Sequence, residues 1–111
     1  MSVVINGTTI RMTRGDTLKA VIGIKNPDGS DYTPIEGDSI RFAVKEYYSQ
    51  RSPIIVKTIP TDTMLLWLEP EDTKTLRMPQ KYVYDIELTH ANGDVDTFIS
   101  RAELNITEEV H

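Results

Sequence analysis

One stretch near the C-terminal end, Lys81 to Ile106, constrains the fold of this chain more than any other. Apolar side chains recur at every second position in its first half, at Tyr82, Tyr84, Ile86 and Leu88, and those of its second half, Phe98, Ala102, Leu104 and Ile106, fall in one phase. Between the halves lies Asn92-Gly93, a dipeptide that accepts positive φ and closes β-hairpins. Since period-two alternation is typical of a strand with one buried face, we predict a hairpin of two long strands.

Shorter stretches with the same character precede this hairpin. We predict strands at Asp16–Asn26, Ile40–Val44, Ile54–Ile59 and Met64–Glu69, and a hairpin or a single bent strand from Ser2–Ile5 and Thr8–Met12. A turn at Asn26–Ser30 and one or two helical turns at Pro70–Leu76 separate them. This order predicts an all-β domain over residues 1–111, an immunoglobulin-like β-sandwich of about seven strands with one short helical turn before the penultimate strand.

Two segments of the chain differ from the regular strands. The Ile54–Ile59 strand lies between Pro53 and Pro60, which cannot donate to a ladder, so we predict an edge strand. Glu46–Pro53 has no clear apolar period and is interpreted as a long exposed loop or a strand-crossing connection.

Composition and charge exclude several classes of function. The chain has 111 residues, no cysteine and a formal net charge of −5. Its basic residues are scattered, whereas nucleic-acid binding requires a concentrated positive surface. The longest apolar run, Met64–Leu68, is too short to span a bilayer, and the N-terminus lacks the pattern of a secretory signal. We expect no nucleic-acid or membrane partner, and a mature protein that begins near Met1.

Catalytic and metal-binding patterns are sparse in this sequence. Its two histidines, His90 and His111, have no zinc spacing, and His90 lies in a predicted polar turn, where we expect it to be solvated. The acidic clusters at Glu69–Asp72 and Asp94–Asp96 are better explained as helix N-terminal charge and solvated hairpin residues. We expect no catalytic residue, no metal and no cofactor, so the sequence argues against an enzyme.

Three aromatic side chains are candidates for ligand or partner contact. Trp67, Tyr47 and Tyr48 have the chemistry of a stacking platform for sugars or of anchors in a protein interface. Met64–Glu69 is apolar on both faces, which is typical of a strand buried on both sides or of one with a face covered by a partner. We predict that Trp67 lies in the core. Tyr47 and Tyr48 are adjacent in an irregular segment, which favours partial exposure.

Several motifs, taken in order, resemble a known family. They are Arg14-Gly-Asp-Thr-Leu, Asn26-Pro-Asp-Gly-Ser, Leu68-Glu-Pro-Glu-Asp-Thr-Lys-Thr-Leu, Tyr82-Val-Tyr-Asp-Ile-Glu-Leu, Asn92-Gly-Asp-Val-Asp-Thr-Phe and the closing Leu104-x-Ile106. This set resembles the small β-sandwich proteins from tail-gene regions of phages and prophages of Gram-positive bacteria. It is similar to the N-terminal domain of upper baseplate proteins, and the likeness covers nearly the whole chain.

The resemblance implies an immunoglobulin-like fold and a non-catalytic structural role in a phage tail or baseplate. Other tail or baseplate proteins, or further copies of the chain, would then be its partners, and the virion tail its location after assembly in the host cytoplasm. A carbohydrate-binding module that uses exposed aromatic residues is the alternative. Exposed strand edges and apolar segments are the expected contacts. The candidate interface residues are Val3, Val4, Ile5, Tyr47, Tyr48 and Ile55.

Overall fold

A computed structural model describes residues 3–6, 9–26, 28–47, 50–74, 76 and 81–107, with the backbone alone at 3–6 and 98–101. Eight strands and one short helix follow one another along the chain. They are β1 (Val3–Asn6), β2 (Thr9–Thr13), β3 (Leu18–Val21), β4 (Ser39–Lys45), β5 (Ile55–Ile59), β6 (Leu65–Leu68), α1 (Pro70–Lys74), β7 (Lys81–Thr89) and β8 (Val95–Thr107). The all-β prediction is confirmed, and α1 stands before β7, the penultimate strand of those described.

The strands form two sheets. One has six strands in the order β1-β2-β8-β7-β4-β5, and the other pairs β3 with β6. The β2–β8 pairing is parallel, and the other pairings are antiparallel. Of the two N-terminal alternatives, a hairpin or a single bent strand, the antiparallel pairing of β1 with β2 supports the hairpin, and β5 lies at a sheet edge as its flanking prolines indicate.

Both sheets contribute to one hydrophobic core. Leu18, Leu66 and Leu68 come from the two-stranded sheet, and Ile40, Phe42, Val44, Tyr82, Tyr84, Ile86, Leu88 and Leu104 are among the residues from the six-stranded sheet. These side chains occupy alternate positions, as the periodicity predicted for Ile40–Val44 and for the first strand of the C-terminal hairpin.

The C-terminal hairpin differs from its prediction in one respect. Two register shifts interrupt the β7–β8 ladder, so that Tyr84 pairs with Ala102 but Ile86 pairs with Ile99. Each shift adds an unpaired residue to β8, as β-bulges do. The single alternating phase predicted from Phe98 to Ile106 is therefore wrong, because the register places Ile99 opposite Ile86.

The strand predicted over Asp16–Asn26 is also shorter in the structure. β3 ends at Val21 because its partner β6 begins at Leu65, and Met64 before it has a positive φ of 56°. Beyond Val21, the Ile22 N–H still donates a hydrogen bond of 2.8 Å to the Met64 carbonyl, and this is the last bond between the two segments that follows the ladder pattern. Ile24 still faces the core, so the alternation of burial continues after the ladder has ended.

Candidate functional site

The two-stranded sheet has one buried and one open face. Leu18 pairs with Leu68 and Ala20 with Leu66 on the side of the core, whereas Lys19 pairs with Trp67 and Val21 with Leu65 on the outside. We call the outward set, Lys19, Val21, Leu65 and Trp67, the ribbon face. Val21 is 75% exposed and Trp67 is 48% exposed. A contiguous apolar surface of this kind marks a contact site more often than scattered apolar residues do.

The structure contradicts the predicted burial of Trp67. Strict alternation admits only one set of β6 side chains to the core, and Leu66 and Leu68 occupy those positions with no exposed surface. The Lys19 ammonium lies 4.4 Å from the centre of the Trp67 ring, within range of a cation–π interaction. Lys19 therefore covers part of the indole and leaves the rest open.

The candidate interface residues are dispersed over the molecule. Tyr47 is exposed, as expected, and Tyr48 lies outside the described residues. Val3–Ile5 belongs to β1 at the opposite end of the six-stranded sheet from β5, and its side chains are outside the description. Ile55 is only 6% exposed and belongs to the core, because the alternation of β5 turns Val56 outward in its place.

A charged pair lies at the β5 edge. Lys57 pairs with the buried Phe42 across the β4–β5 ladder, so its side chain lies on the core side of an edge strand. Its Nζ is 2.9 Å from Oδ2 of Asp72 in α1, and the two side chains are 29% and 20% exposed. An inward-pointing charge is a recognised device that discourages strand addition to a sheet edge. Asp72 also accepts a hydrogen bond of 2.7 Å from the Glu69 N–H, which caps the helix.

A polar cluster joins the loop before β4 to the β7–β8 turn. The Tyr32 hydroxyl donates to Oδ2 of Asp38 at 2.6 Å, and the same oxygen accepts the Ile35 N–H at 2.9 Å. His90 lies between two carboxylates, with Nε2 at 2.8 Å from Oδ2 of Asp96 and Nδ1 at 3.4 Å from Oδ1 of Asp38. The predicted solvated histidine is thus wrong, since the His90 side chain is 28% exposed and contacts both acids.

The geometry of this cluster favours a protonated imidazole. A neutral imidazole has one N–H and cannot donate to both carboxylates, whereas the imidazolium can. The hydrogen bond to Asp96, followed by that to Asp38, raises the pKa of His90, although burial opposes this. The hydrogen bond from Tyr32 lowers the pKa of Asp38 and raises the pKa of Tyr32.

Sequence reasoning missed this cluster because its members are far apart in the chain. The β4–β7 register, in which Ser39 faces Thr89, brings Asp38 beside His90. The Asp38 side chain is 1% exposed, and its Oδ1 faces Nδ1 of His90 at 3.4 Å. No sequence motif in either segment predicts that register.

A cleft of about 440 Å³ opens beside the cluster, lined by Ile24, Leu88, Tyr32 and His90 among others. Its size lies within the range of ligand pockets. Both nitrogens of His90 already face carboxylates, however, so neither is free to accept a proton from a substrate. This arrangement is suited to holding two segments together.

Within the described part of the chain, no group of three or more histidine, cysteine, aspartate or glutamate residues is placed to hold a metal ion. No helix among the same residues is long and apolar enough to cross a membrane. No family model, curated protein or solved structure matches the chain. The resemblance to phage tail proteins stays a prediction.

Proposed function

We propose that this chain is a non-catalytic structural module of a phage or prophage tail, of the baseplate type, which works through protein–protein contacts. Its partners are other tail or baseplate proteins or further copies of itself. It is made in the cytoplasm of the bacterial host and resides in the virion tail. The ordered motifs of the sequence support the tail assignment, and the exposed ribbon face carries the argument for protein contact.

The strand order supports an immunoglobulin-like sandwich as the fold of this module. Counted in chain order, β3 and β6 correspond to strands B and E of an immunoglobulin domain, and β4, β7 and β8 to C, F and G. β5 lies beside β4, as strand C′ lies beside C in variable domains. Tyr82, near the start of β7, is buried at the place where such domains carry a tyrosine that holds the corner.

The ribbon face supports an assembly role because three of its four side chains are apolar and its two strands are anchored in the core. Leu18, Leu66 and Leu68 anchor both of its strands in the core without any exposed surface. The outward Val21 and Trp67 are therefore presented at fixed positions. Aromatic residues on such a surface are typical anchors of protein interfaces.

The experiment that tests this proposal is purification of particles from an induced lysate of the source strain. The chain should be present in purified tails at a fixed ratio to the other tail proteins. Val21→Asp should exclude the protein from particles, whereas Val95→Asp, which changes another exposed valine, should leave incorporation unchanged. Purified particles without the chain would refute the proposal.

The exposure of Trp67 also favours one alternative, a carbohydrate-binding module. An open indole beside a strand is a surface on which a sugar ring can stack. Lys19 occupies part of that indole, and the neighbouring Val21 and Leu65 offer no side-chain hydrogen bonds to hydroxyl groups. Glycan-array binding that disappears in Trp67→Ala but persists in Tyr47→Ala would support this alternative over the assembly role.

A further inference from the structure

We propose that the free edge of β3 is a docking site for an extended segment of a partner protein, which adds as an antiparallel strand beside Lys19 and Val21. The incoming segment carries apolar side chains on its core-facing positions and an acidic residue opposite Lys19. This inference rests on the proposed assembly function and specifies where and how the contact is made.

The register of the ribbon identifies the unused backbone groups. In an antiparallel ladder, hydrogen-bonded and non-hydrogen-bonded pairs alternate. The Ile22 N–H donates to the Met64 carbonyl, so the pairs Ala20–Leu66 and Leu18–Leu68 are hydrogen-bonded as well. The N–H and C=O groups of Lys19 and Val21 therefore point away from β6. Within the described residues, no strand pairs with β3 on that side.

Comparison with β5 shows that edge protection differs between the two sheets. The β5 edge carries the inward Lys57, paired with Asp72, and has a proline just beyond each end at Pro53 and Pro60. On β3 the core-facing positions are Leu18 and Ala20, and neither is charged. Proteins that avoid strand addition usually protect their edges in such ways, and β3 lacks them.

The Lys19 side chain does not block access to the β3 edge, because it extends toward β6 on the other side. The ammonium lies over the ring of Trp67, on the neighbouring strand and away from the open side. A segment paired with β3 would place the residue opposite Lys19 on the same outer face, within reach of that ammonium. A carboxylate there gains a partner, whereas a basic residue meets a like charge.

The apolar surroundings determine the rest of the incoming strand. Val21 is exposed on the outer face, so an apolar residue opposite it buries both side chains. The positions opposite Leu18, Ala20 and Ile22 face the core side, where Ala20 and Ile22 pack against the core and remain only partly buried. Strand addition of this kind uses main-chain hydrogen bonds for affinity and alternate side chains for specificity.

A synthetic peptide tests the site directly in the purified full chain. The probe is acetyl-Thr-Val-Ile-Val-Glu-Val-Thr-amide, whose antiparallel alignment places its glutamate opposite Lys19 and its isoleucine opposite Val21. Amide hydrogen exchange is followed by NMR. In the free protein the Lys19 and Val21 amides should exchange at least about 100-fold faster than those of Ala20 and Ile22. With millimolar peptide, exchange at Lys19 and Val21 should slow by about tenfold.

Three controls isolate the mode of binding. The same peptide N-methylated at its glutamate and isoleucine cannot donate to β3 and should give no protection, while the protein itself is unaltered. Replacing the peptide glutamate with lysine should weaken protection several-fold. In the protein, Val21→Pro removes an edge N–H that the β3–β6 ladder does not use, and it should abolish protection.

The inference is overturned if the Lys19 and Val21 amides are already slow in the dilute free protein, or if the peptide protects neither of them at millimolar concentration. Equal protection by the N-methylated peptide would likewise exclude strand addition. The proposed function is separable from this result. Particles that retain the Val21→Pro protein would refute docking at the β3 edge but not the assembly role. Peptide binding by a chain that is absent from particles would refute the assembly role but not docking at the β3 edge.

Discussion

The close approach of two loops at Gly37 allows a sharp quantitative prediction. Gly37 lies beside Asp38 of the polar cluster and has a φ of +93°, and a Cβ built on it would lie 2.4 Å from the Cβ of Ala91. Gly93, in the hairpin turn, has nearly the same φ of +95°, and its Cβ would meet nothing within 4 Å. The pair thus separates backbone strain from steric overlap.

The expected costs follow from these two terms. A side chain held in the left-handed region costs about 1–2 kcal/mol, so Gly93→Ala should reduce the free energy of unfolding by about that amount. Gly37→Ala adds an overlap that forces the loop and the turn apart, and such overpacking costs a further 1–3 kcal/mol or so. Removing the Ala91 methyl leaves only a 3.3 Å approach to the Ala91 Cα, so the double variant Gly37→Ala/Ala91→Gly should regain most of the second term.

Urea denaturation measures the free energy of unfolding of each protein. The parent, Gly37→Ala, Ala91→Gly and the double variant form a double-mutant cycle, and Gly93→Ala is measured beside them. The Gly37→Ala and Ala91→Gly changes should couple by about 1 kcal/mol or more, since residues in direct contact usually do. Equal destabilisation by Gly37→Ala and Gly93→Ala, together with additive behaviour in the cycle, would refute the close packing of the loop against the turn.

Three further predictions concern other contacts. The raised pKa of His90 contributes stability that is complete below its ordinary value of 6.5 and is lost as the pH rises through the raised value. NMR titration should show that Asp96→Asn lowers the pKa of His90. An unchanged pKa would contradict the contact between His90 and Asp96. Lys57→Val should cause concentration-dependent self-association in analytical ultracentrifugation, whereas Lys57→Arg should show the same association state as the parent protein. Thr73→Val should cost about 1–2 kcal/mol in thermal denaturation, because the Gly15 N–H loses its 2.7 Å acceptor, while Thr73→Ser retains that bond. A Lys57→Val protein that self-associates no more than the parent would contradict the role of Lys57 at the β5 edge. Equal stability of Thr73→Val and Thr73→Ser would contradict the role of the Thr73 hydroxyl.

Much of the fold was predictable because the local signals agree with the tertiary structure. Alternation in Ile40–Val44 and Lys81–Thr89, the Asn92-Gly93 turn and the acidic start of α1 each indicate the element that forms. The bulges in β8 were not predictable, since no residue type marks them and they appear only as shifts of register between two strands. The early end of β3 likewise depends on where its partner begins, which is not encoded in β3 itself.

The candidate sites were harder to predict, for a reason that Trp67 illustrates. Met64–Leu68 is apolar on both faces, so the pattern does not state which face the core receives. The choice depends on Leu66 and Leu68 meeting Leu18 and Ala20 across a pairing that joins distant parts of the chain. The His90 cluster has the same origin, because Asp38 reaches it only through the β4–β7 register.

The contrast between the two sheet edges bears on which of the exposed aromatic and aliphatic residues matter. If exposure alone defined the interface, Val56 and Tyr47 would be as good candidates as Val21. Val56, however, lies on a strand whose edge carries the Lys57–Asp72 pair, and Tyr47 lies in a bend. On the ribbon, by contrast, exposed apolar side chains coincide with a strand edge, that of β3, whose core-facing side chains Leu18 and Ala20 are uncharged. Trp67 adds to this coincidence, because it holds the Lys19 ammonium over its own strand and so leaves the neighbouring edge open.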